Sequence, residues 1–343
     1  VLRMTRKKRL ELIRALEEKR DSRIIVCILG DRRSAETRIA SDILTPLSMH
    51  LTAMGKQKNI DLMLYSTGGG TMAGIAMVNL IREFCTQFRI IIPSKAQSCA
   101  TLVALGADSI LMTRLGLLSP IDPSVGTPYA PLLPVPGAPM GSTRQVPISV
   151  EDVMAYLSLA EESFNLREES SRLEAFKELT KHVHPLALGS VHRARQQIAF
   201  LAETLLSMHT NSQESIDRII KILTQERFSH SYLMGRKEAI DTLQLKIEKE
   251  DPEIENDVMN LFGAYVALLR LNEPYHPEAE LDEEDSVVAQ LNRAIIESSE
   301  LTHVFRTKKE IKRVEIGPPA VPHPTIAYQE RILKEGWFRD NKI

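Results

Sequence analysis

Residues 60–77, IDLMLYSTGGGTMAGIAM, decide the fold. The first six are apolar without alternation (Asp61 apart), as a strand buried on both faces requires. They run into three glycines, Gly68–Gly70. Beyond Thr71, apolar residues recur at Ile75, Val78, Ile81 and Phe84, opposite Asn79, Arg82 and Glu83, which is the period of a helix. A glycine turn between a strand and a helix brings backbone N–H groups up to negative charge. That charge is either a bound phosphate or an oxyanion formed during a reaction.

The same alternation continues outward on both sides. Residues 4–20 read as a helix, RIIVCIL (23–29) as a buried strand, and 36–56 as a helix with a break near Pro46. After the glycine unit come a strand FRIII (88–92), a small-residue helix SCATLVALGA (98–107) and a strand SILM (109–112). Strand–helix–strand repeated in this way implies right-handed crossovers, a parallel sheet and the α/β class. The texture then changes. Eight of the chain's eighteen prolines lie in 119–147, which reads as a long loop beside the last strand, with little regular structure. Residues 149–270 read as mostly helical. After Leu271 follow an acidic stretch EAELDEED, an amphipathic helix near 285–299 and a Pro-rich tail, IGPPAVPHP (316–324).

Composition bounds the function. The 343 residues are 43% apolar and 26% charged, with a net charge of −2. This fits a globular protein with no general affinity for nucleic acid. Three scattered cysteines, Cys27, Cys85 and Cys99, do not make a disulfide framework and point to a cytoplasmic location. No stretch approaches the ~18–20 uncharged residues of a membrane span, and no signal-peptide core is present. The chain opens on Val1 and reaches its first methionine at Met4, which leaves room for an upstream segment such as an anchor.

Three readings of the glycines compete. A P-loop would need Lys and Ser/Thr where Ile75 and Ala76 stand, and it fails. A dinucleotide turn is matched by Gly68, Gly70 and Ala73, but no Asp or Glu lies between Phe84 and Ala107 to hold a ribose. Ser94 and Lys95 leave an NADP-dependent enzyme as an alternative. The oxyanion reading uses Ser98, which opens a small-residue helix at the next strand end and so faces the same crevice. On its own, a serine there is an N-cap.

The stretch 60–124 resembles the Clp/crotonase superfamily, which joins the Clp protease proteolytic subunit to signal peptide peptidase A. It is most similar to the SDH (serine dehydrogenase) family of Clp-fold serine proteinases. The resemblance is carried by LMLYSTGGGTMAG, RIIIPSKAQSCATLVALGAD and LLSPIDPS, and more weakly by HPLALGSVHRARQQIAFLAETLL (184–206) and FSHSYLMGRKEA (228–239). It implies a spiral of parallel strands and helices with a helical C-terminal half. The peptidase domain would span 1–245, with 246–343 a helical, Pro-rich extension. It also implies peptide-bond hydrolysis through an acyl-enzyme on Ser98, acting on a peptide or protein substrate in a homo-oligomeric ring, without cofactor. Gly69 and Cys99 match the backbone donors of the oxyanion hole. Gly68, Gly70 and Asp122 would border the substrate. Cys99 replaces the usual Ala or Gly, narrowing the pocket and adding a second possible nucleophile. The competing class is a non-catalytic scaffold on the same fold.

The base is the open position. IDPS (121–124) holds no histidine where the Clp protease subunit has one. Signal peptide peptidase A uses a lysine from a later segment, and TKHVHPLALGS (180–190) offers Lys181, His182 and His184. His184 is favoured and Lys181 comes second. An imidazole titrates near 6.5, whereas a lysine must be lowered from ~10.4 to serve. Lys95 points elsewhere, His230 and Asp122 are weaker candidates, and His182 with His184 lacks the further ligands of a metal site.

Overall fold

The computed structural model describes residues 4–343 except 122–123, 136–140, 147, 227–228, 230, 250, 283 and 317–324. The chain divides into two compact units, one of residues 1–118 and 234–343, the other of 119–233.

The first unit begins with α1 (Arg6–Arg20), capped by Thr5, whose hydroxyl accepts from Lys8 N–H. Its buried face is Arg9, Leu10, Ile13, Leu16 and Arg20. Strand β1 (Arg23–Leu29), helix α2 (Leu44–Met54), β2 (Gln57–Tyr65), α3 (Thr71–Arg82), β3 (Cys85–Ile92), a short β4 (Lys95–Ala96), α4 (Cys99–Leu105), β5 (Ser109–Met112) and a short β6 (Leu117–Leu118) follow. Strands β1, β2, β3 and β5 lie side by side and parallel, with Val26 opposite Met63 and Leu62 opposite Ile90. The α/β class and the parallel repeat expected of 23–112 are what the structure contains.

The described residues of the second unit form β7 (Ser124–Val125), β8 (Leu132–Pro134), β9 (Thr143–Gln145), β10 (Ile148–Ser149), the α-helices α5 (Val150–Ser158), α6 (Glu169–His182), α7 (Pro185–Leu206) and α8 (Gln213–Thr224), and a π-helical turn at Leu159–Ser163 after α5. Strands β8 and β9 pair with each other, as do β7 and β10, so the little regular structure in the Pro-rich segment is short antiparallel pairing. Pro134 is accommodated because β8 is only three residues long and belongs to a two-stranded pair, with Pro134 at its end.

The chain returns to the first unit at β11 (Met234–Gly235), which pairs with β6. Then come α9 (Arg236–Asp241), α10 (Pro252–Leu269), α11 (Pro277–Leu281) and three strands: β12 (Ser286–Glu297), β13 (Thr302–Ile316) and β14 (Thr325–Arg339). Residues 246–343 are therefore not a helical extension. Strand β12 pairs antiparallel with β1, and the sheet continues through β13 to β14, giving seven strands in all. The expected helix at 285–299 is this strand. Its inner third, Ala294–Glu297, is buried on both faces, and its register with β13 shifts between Asn292 and Ala294. Both features destroy a period of two and imitate a period near 3.6. No helix among the described residues is long and apolar enough to cross a membrane.

One buried ion pair ties these pieces together. Arg9 and Glu297 are both fully buried and meet bidentately at 2.8 and 2.9 Å. Tyr265 of α10 donates to the same carboxylate at 2.6 Å, and Thr302 of β13 at 2.8 Å. Arg9 also donates to the carbonyls of Met4 and Ile343. Arg9→Ala should lower the free energy of unfolding by about 3–5 kcal/mol, because Glu297 is left charged and dry. Replacing both ions by apolar residues, Arg9→Met with Glu297→Leu, should cost much less. Urea unfolding of the two variants checks the difference.

Candidate active site

At the carboxyl end of β2 the chain is held on two sides. Ser66 N–H donates to Lys95 O at 3.1 Å and Gln97 N–H to Ser66 O at 3.0 Å, so β2 and β4 end side by side. The Ser66 hydroxyl accepts from Gly68 N–H at 3.0 Å and starts the turn. On the far side, Ile39 N–H donates to Gly68 O and Gly70 N–H to Ile39 O, each at 2.8 Å. Residues 36–40, expected to begin a helix, instead lie extended along the glycines. The helix starts only after a 3-10 turn at Ser41–Ile43, and Pro46 sits harmlessly in its first turn.

These contacts require the glycines. Gly68 has φ +104°, and a Cβ there would lie 2.8 Å from Ser98 Cβ and 3.3 Å from Cys99 N. Gly69 has φ +149°, and its Cβ would meet Ile39 O at 2.2 Å. Gly70, at φ −71°, caps α3 and is not constrained in this way.

Ser98 stands at the entry to α4 with φ 51° and ψ −117°, a backbone conformation that costs a non-glycine residue ~1–3 kcal/mol. Its side chain makes no cap bond to α4, so the ordinary N-cap explanation does not apply. Among the described residues, neither Gly69 N–H nor Cys99 N–H has a hydrogen-bond acceptor. Two backbone donors are thus open, one on the residue after Ser98 and one on the residue after Gly68, which lies against Ser98, an arrangement suited to holding an anion near a hydroxyl.

Cys99 itself points away. It is 1% exposed, its thiol donates to Gly70 O at 3.3 Å, and a Cβ on Gly74 would lie 2.5 Å from its sulfur. Burial pushes the thiol up to about 12. The expectations that it narrows the pocket or serves as a second nucleophile are therefore corrected: the side chain fills the α3–α4 contact and stays protonated.

A cluster that the sequence reading misses lies at the ends of β1, β2 and β4. Asp31 accepts from Tyr65 OH at 2.7 Å and from Lys95 Nζ at 2.6 Å. Burial, reinforced by the Asp31 carboxylate, pushes the Tyr65 phenol well up. The signal was present as polar groups at or just past the ends of β1, β2 and β3. With its ammonium paired, Lys95 is no free partner for a 2′-phosphate, and the NADP alternative loses its only cation. Lys95 instead anchors the strand end three residues before Ser98.

The base candidates lie in the second unit. Lys181 is exposed on α6 and ion-paired with Glu178, whose hydrogen bond raises its pKa. A lysine base needs the opposite shift. His184 is the N-cap of α7: its Nδ1 accepts from Leu186 N–H at 3.2 Å, and its ring stacks on Tyr129 at 4.6 Å. Asp122 and His230 lie outside the described residues.

Comparison with known proteins adds the following. Residues 1–135 match the family described as ClpP-like SDH-type serine proteinase. The match takes in the glycine turn and Ser98 and ends before Lys181 and His184. Two uncharacterized proteins of Methanocaldococcus jannaschii are similar. MJ0137 is 23% identical over 262 residues, 74% of this chain and 78% of that protein. MJ1495 is 24% identical over 259 residues, 72% and 84%. Among solved structures, 1510-N, a membrane-bound stomatin-specific protease, aligns at a TM-score of 0.36 with 14% identity, over 63% of this chain and 77% of that one. A mutant of ClpP1 from Listeria monocytogenes aligns at 0.36 and 14%, over 70% and 99%. TM-scores this low carry no detail of the site across.

The glycine turn predicts its own tolerance. Gly69→Ala must move Ile39 and take up an unfavourable φ, and should destabilise the protein by about 1–3 kcal/mol. Gly70→Ala, whose Cβ would stand 3.7 Å from its nearest neighbour, should cost only a few tenths of that range. Thermal unfolding of both variants measures the contrast.

Proposed function

From the match of residues 1–135 to the ClpP-like SDH-type serine proteinases, we propose that this protein is a serine peptidase with Ser98 as its nucleophile. The observation that carries the reading is the pair of open N–H groups, Gly69 and Cys99, beside a strained serine that does not cap its helix. Ser98 Oγ attacks the carbonyl carbon of a peptide bond, and the carbonyl π electrons move to oxygen. That oxyanion accepts hydrogen bonds from Gly69 N–H and Cys99 N–H, each donor contributing roughly 3–4 kcal/mol to the barrier reduction. Collapse breaks the C–N bond, the serine proton passes to the leaving amine, and water then hydrolyses the Ser98 ester. Gly68 supplies the close backbone approach. Gly70 leaves no N–H for substrate, since its amide is spent on Ile39.

His184 is the better candidate for the proton acceptor, because the Lys181 ammonium is stabilised by Glu178. As it stands, the cap bond occupies His184 Nδ1, so catalysis through this imidazole requires release of Leu186 N–H. Self-association into a homo-oligomer fits the second unit, where Leu132, Phe164, Leu186 and Phe200 are each more than half exposed.

Ser98→Ala should abolish both peptidase activity and labelling by a fluorophosphonate probe, while removing no more than the backbone strain allows. His184→Ala should lower kcat by about 10²–10⁴-fold and Lys181→Ala should leave it near the wild-type value. Activity on casein-like substrates in the Ser98→Ala protein would remove the nucleophile assignment. Absence of labelling in the wild type would leave a non-catalytic scaffold. Light scattering of the wild-type chain at micromolar concentration should give a mass several times that of the monomer, and a monomeric mass would sink the oligomer.

A further inference from the structure

A second chain of polar side chains lies in the first unit, between α2 and the β12–β13 strands. His50 Nδ1 is 2.8 Å from Ser298 Oγ, and His50 Nε2 is 3.0 Å from His303 Nδ1. Ser298 and His50 are fully buried and His303 is 4% exposed. The direction of the protons follows from the serine. Its hydroxyl oxygen already accepts from Glu300 N–H and Leu301 N–H, both at 3.4 Å, so its own proton is turned towards His50 Nδ1. His50 then carries its proton on Nε2 and donates to His303 Nδ1. His303 in turn carries its proton on Nε2, the nitrogen that has no partner among the described residues. Both rings are neutral: burial, then the neighbouring His303 and Arg339, lowers His50 to about 3, and burial, then Arg339, lowers His303.

His303 forms the floor of a cleft of about 620 Å³, a size suited to a small organic ligand. One wall is a helix face, Thr45, Pro46 and Met49. The other is the β13–β14 pair, where His303 stands opposite Arg339 and Phe305 opposite Trp337. Phe305 and Trp337 meet edge to face at 5.5 Å. The Arg339 guanidinium has no ion pair among the described residues. Two negative groups also line the cleft. Glu335 is held by Arg293 at 2.7 Å and Thr307 at 2.6 Å, so its charge is offset. Asp42 stands on the facing helical turn and leaves the cleft close to neutral, which disfavours a dianion.

We infer that this cleft is a binding site for a carboxylate carried on an apolar or aromatic group, held by His303 Nε2–H and the Arg339 guanidinium and flanked by Phe305, Trp337, Pro46 and Met49. One uncharged donor, one cation and an aromatic wall recognise a single negative charge at the end of a hydrophobic body. Such a group is found both on free aromatic acids and at the carboxyl terminus of a peptide ending in an apolar residue. The site is separate from Ser98 and does not depend on the peptidase reading.

Trp337 is the chain's one tryptophan, so its fluorescence reports on the cleft wall directly. Phenylacetate added to the full chain should give a saturable fluorescence change and a matching isotherm in calorimetry. Phenylacetamide and phenyl phosphate should bind at least about tenfold more weakly. Arg339→Gln, an exposed position where the fold is not at stake, should weaken phenylacetate about tenfold or more, as loss of a charged hydrogen bond requires. Ser98→Ala should bind it as the wild type does. Acetyl-Ala-Ala-Phe binding more tightly than phenylacetate would identify a peptide terminus as the source, and weaker binding would identify a free acid. The inference is overturned by the absence of a saturable response in both measurements, by equal binding of the amide, or by unchanged affinity in Arg339→Gln.

Discussion

The architecture depends on a charge pair that water cannot reach. Glu297 sits at the inner end of β12, where that strand pairs with β1, and Arg9 reaches it from α1. Two ions are tolerated there because every lone pair of the carboxylate is used, by Arg9, Tyr265 and Thr302. An apolar core holds many arrangements nearly equally well, whereas this network is satisfied only when α1, α10, β12 and β13 are all in register. It fixes where the antiparallel strands join the parallel ones. A second buried set on the same face, Asp61 of β2 with Arg20 of α1 and Arg89 of β3, ties the same helix to the parallel strands.

The same logic of over-determination explains how Ser98 keeps an unfavourable backbone. Its strain is not relieved locally. It is imposed by β4, which is clamped between β2 and β6, and by Lys95, whose ammonium is held by Asp31. On the opposite side, Ile39 makes two backbone bonds with the glycine turn and leaves the amide between them, that of Gly69, without a partner among the described residues. An extended segment laid against a loop uses alternate amides only, and the skipped one becomes available to a ligand.

The parallel repeat from 23 to 112 is legible in the sequence because buried strands there are short, apolar and flanked by glycine or proline. Ser98 and Gly69 are legible for the same reason, since both sit at strand ends. Residues 36–40 are not: their extended form comes from pairing with glycines thirty positions away, which no local pattern encodes. Strand β12 is obscured by its shift in register and its double burial. The role of Cys99 turns on which way a side chain points, and that is decided by the gap opposite Gly74. Lys181 and His184 are singled out in the sequence by residue type alone, and the partners beside each, Glu178 and Leu186, come from a helix end that the sequence reading did not locate.

The pairing of β1 with β12 has a consequence for synthesis. Val26 is hydrogen-bonded into a strand that leaves the ribosome about 270 residues later. At roughly 5–20 residues per second, one edge of the parallel sheet stays open for about 15–50 s, through translation of the whole second unit. An apolar strand edge exposed for that long invites pairing with another nascent chain. The late strand therefore acts as a delayed cover, and a contact so distant in sequence is of the kind that slows folding.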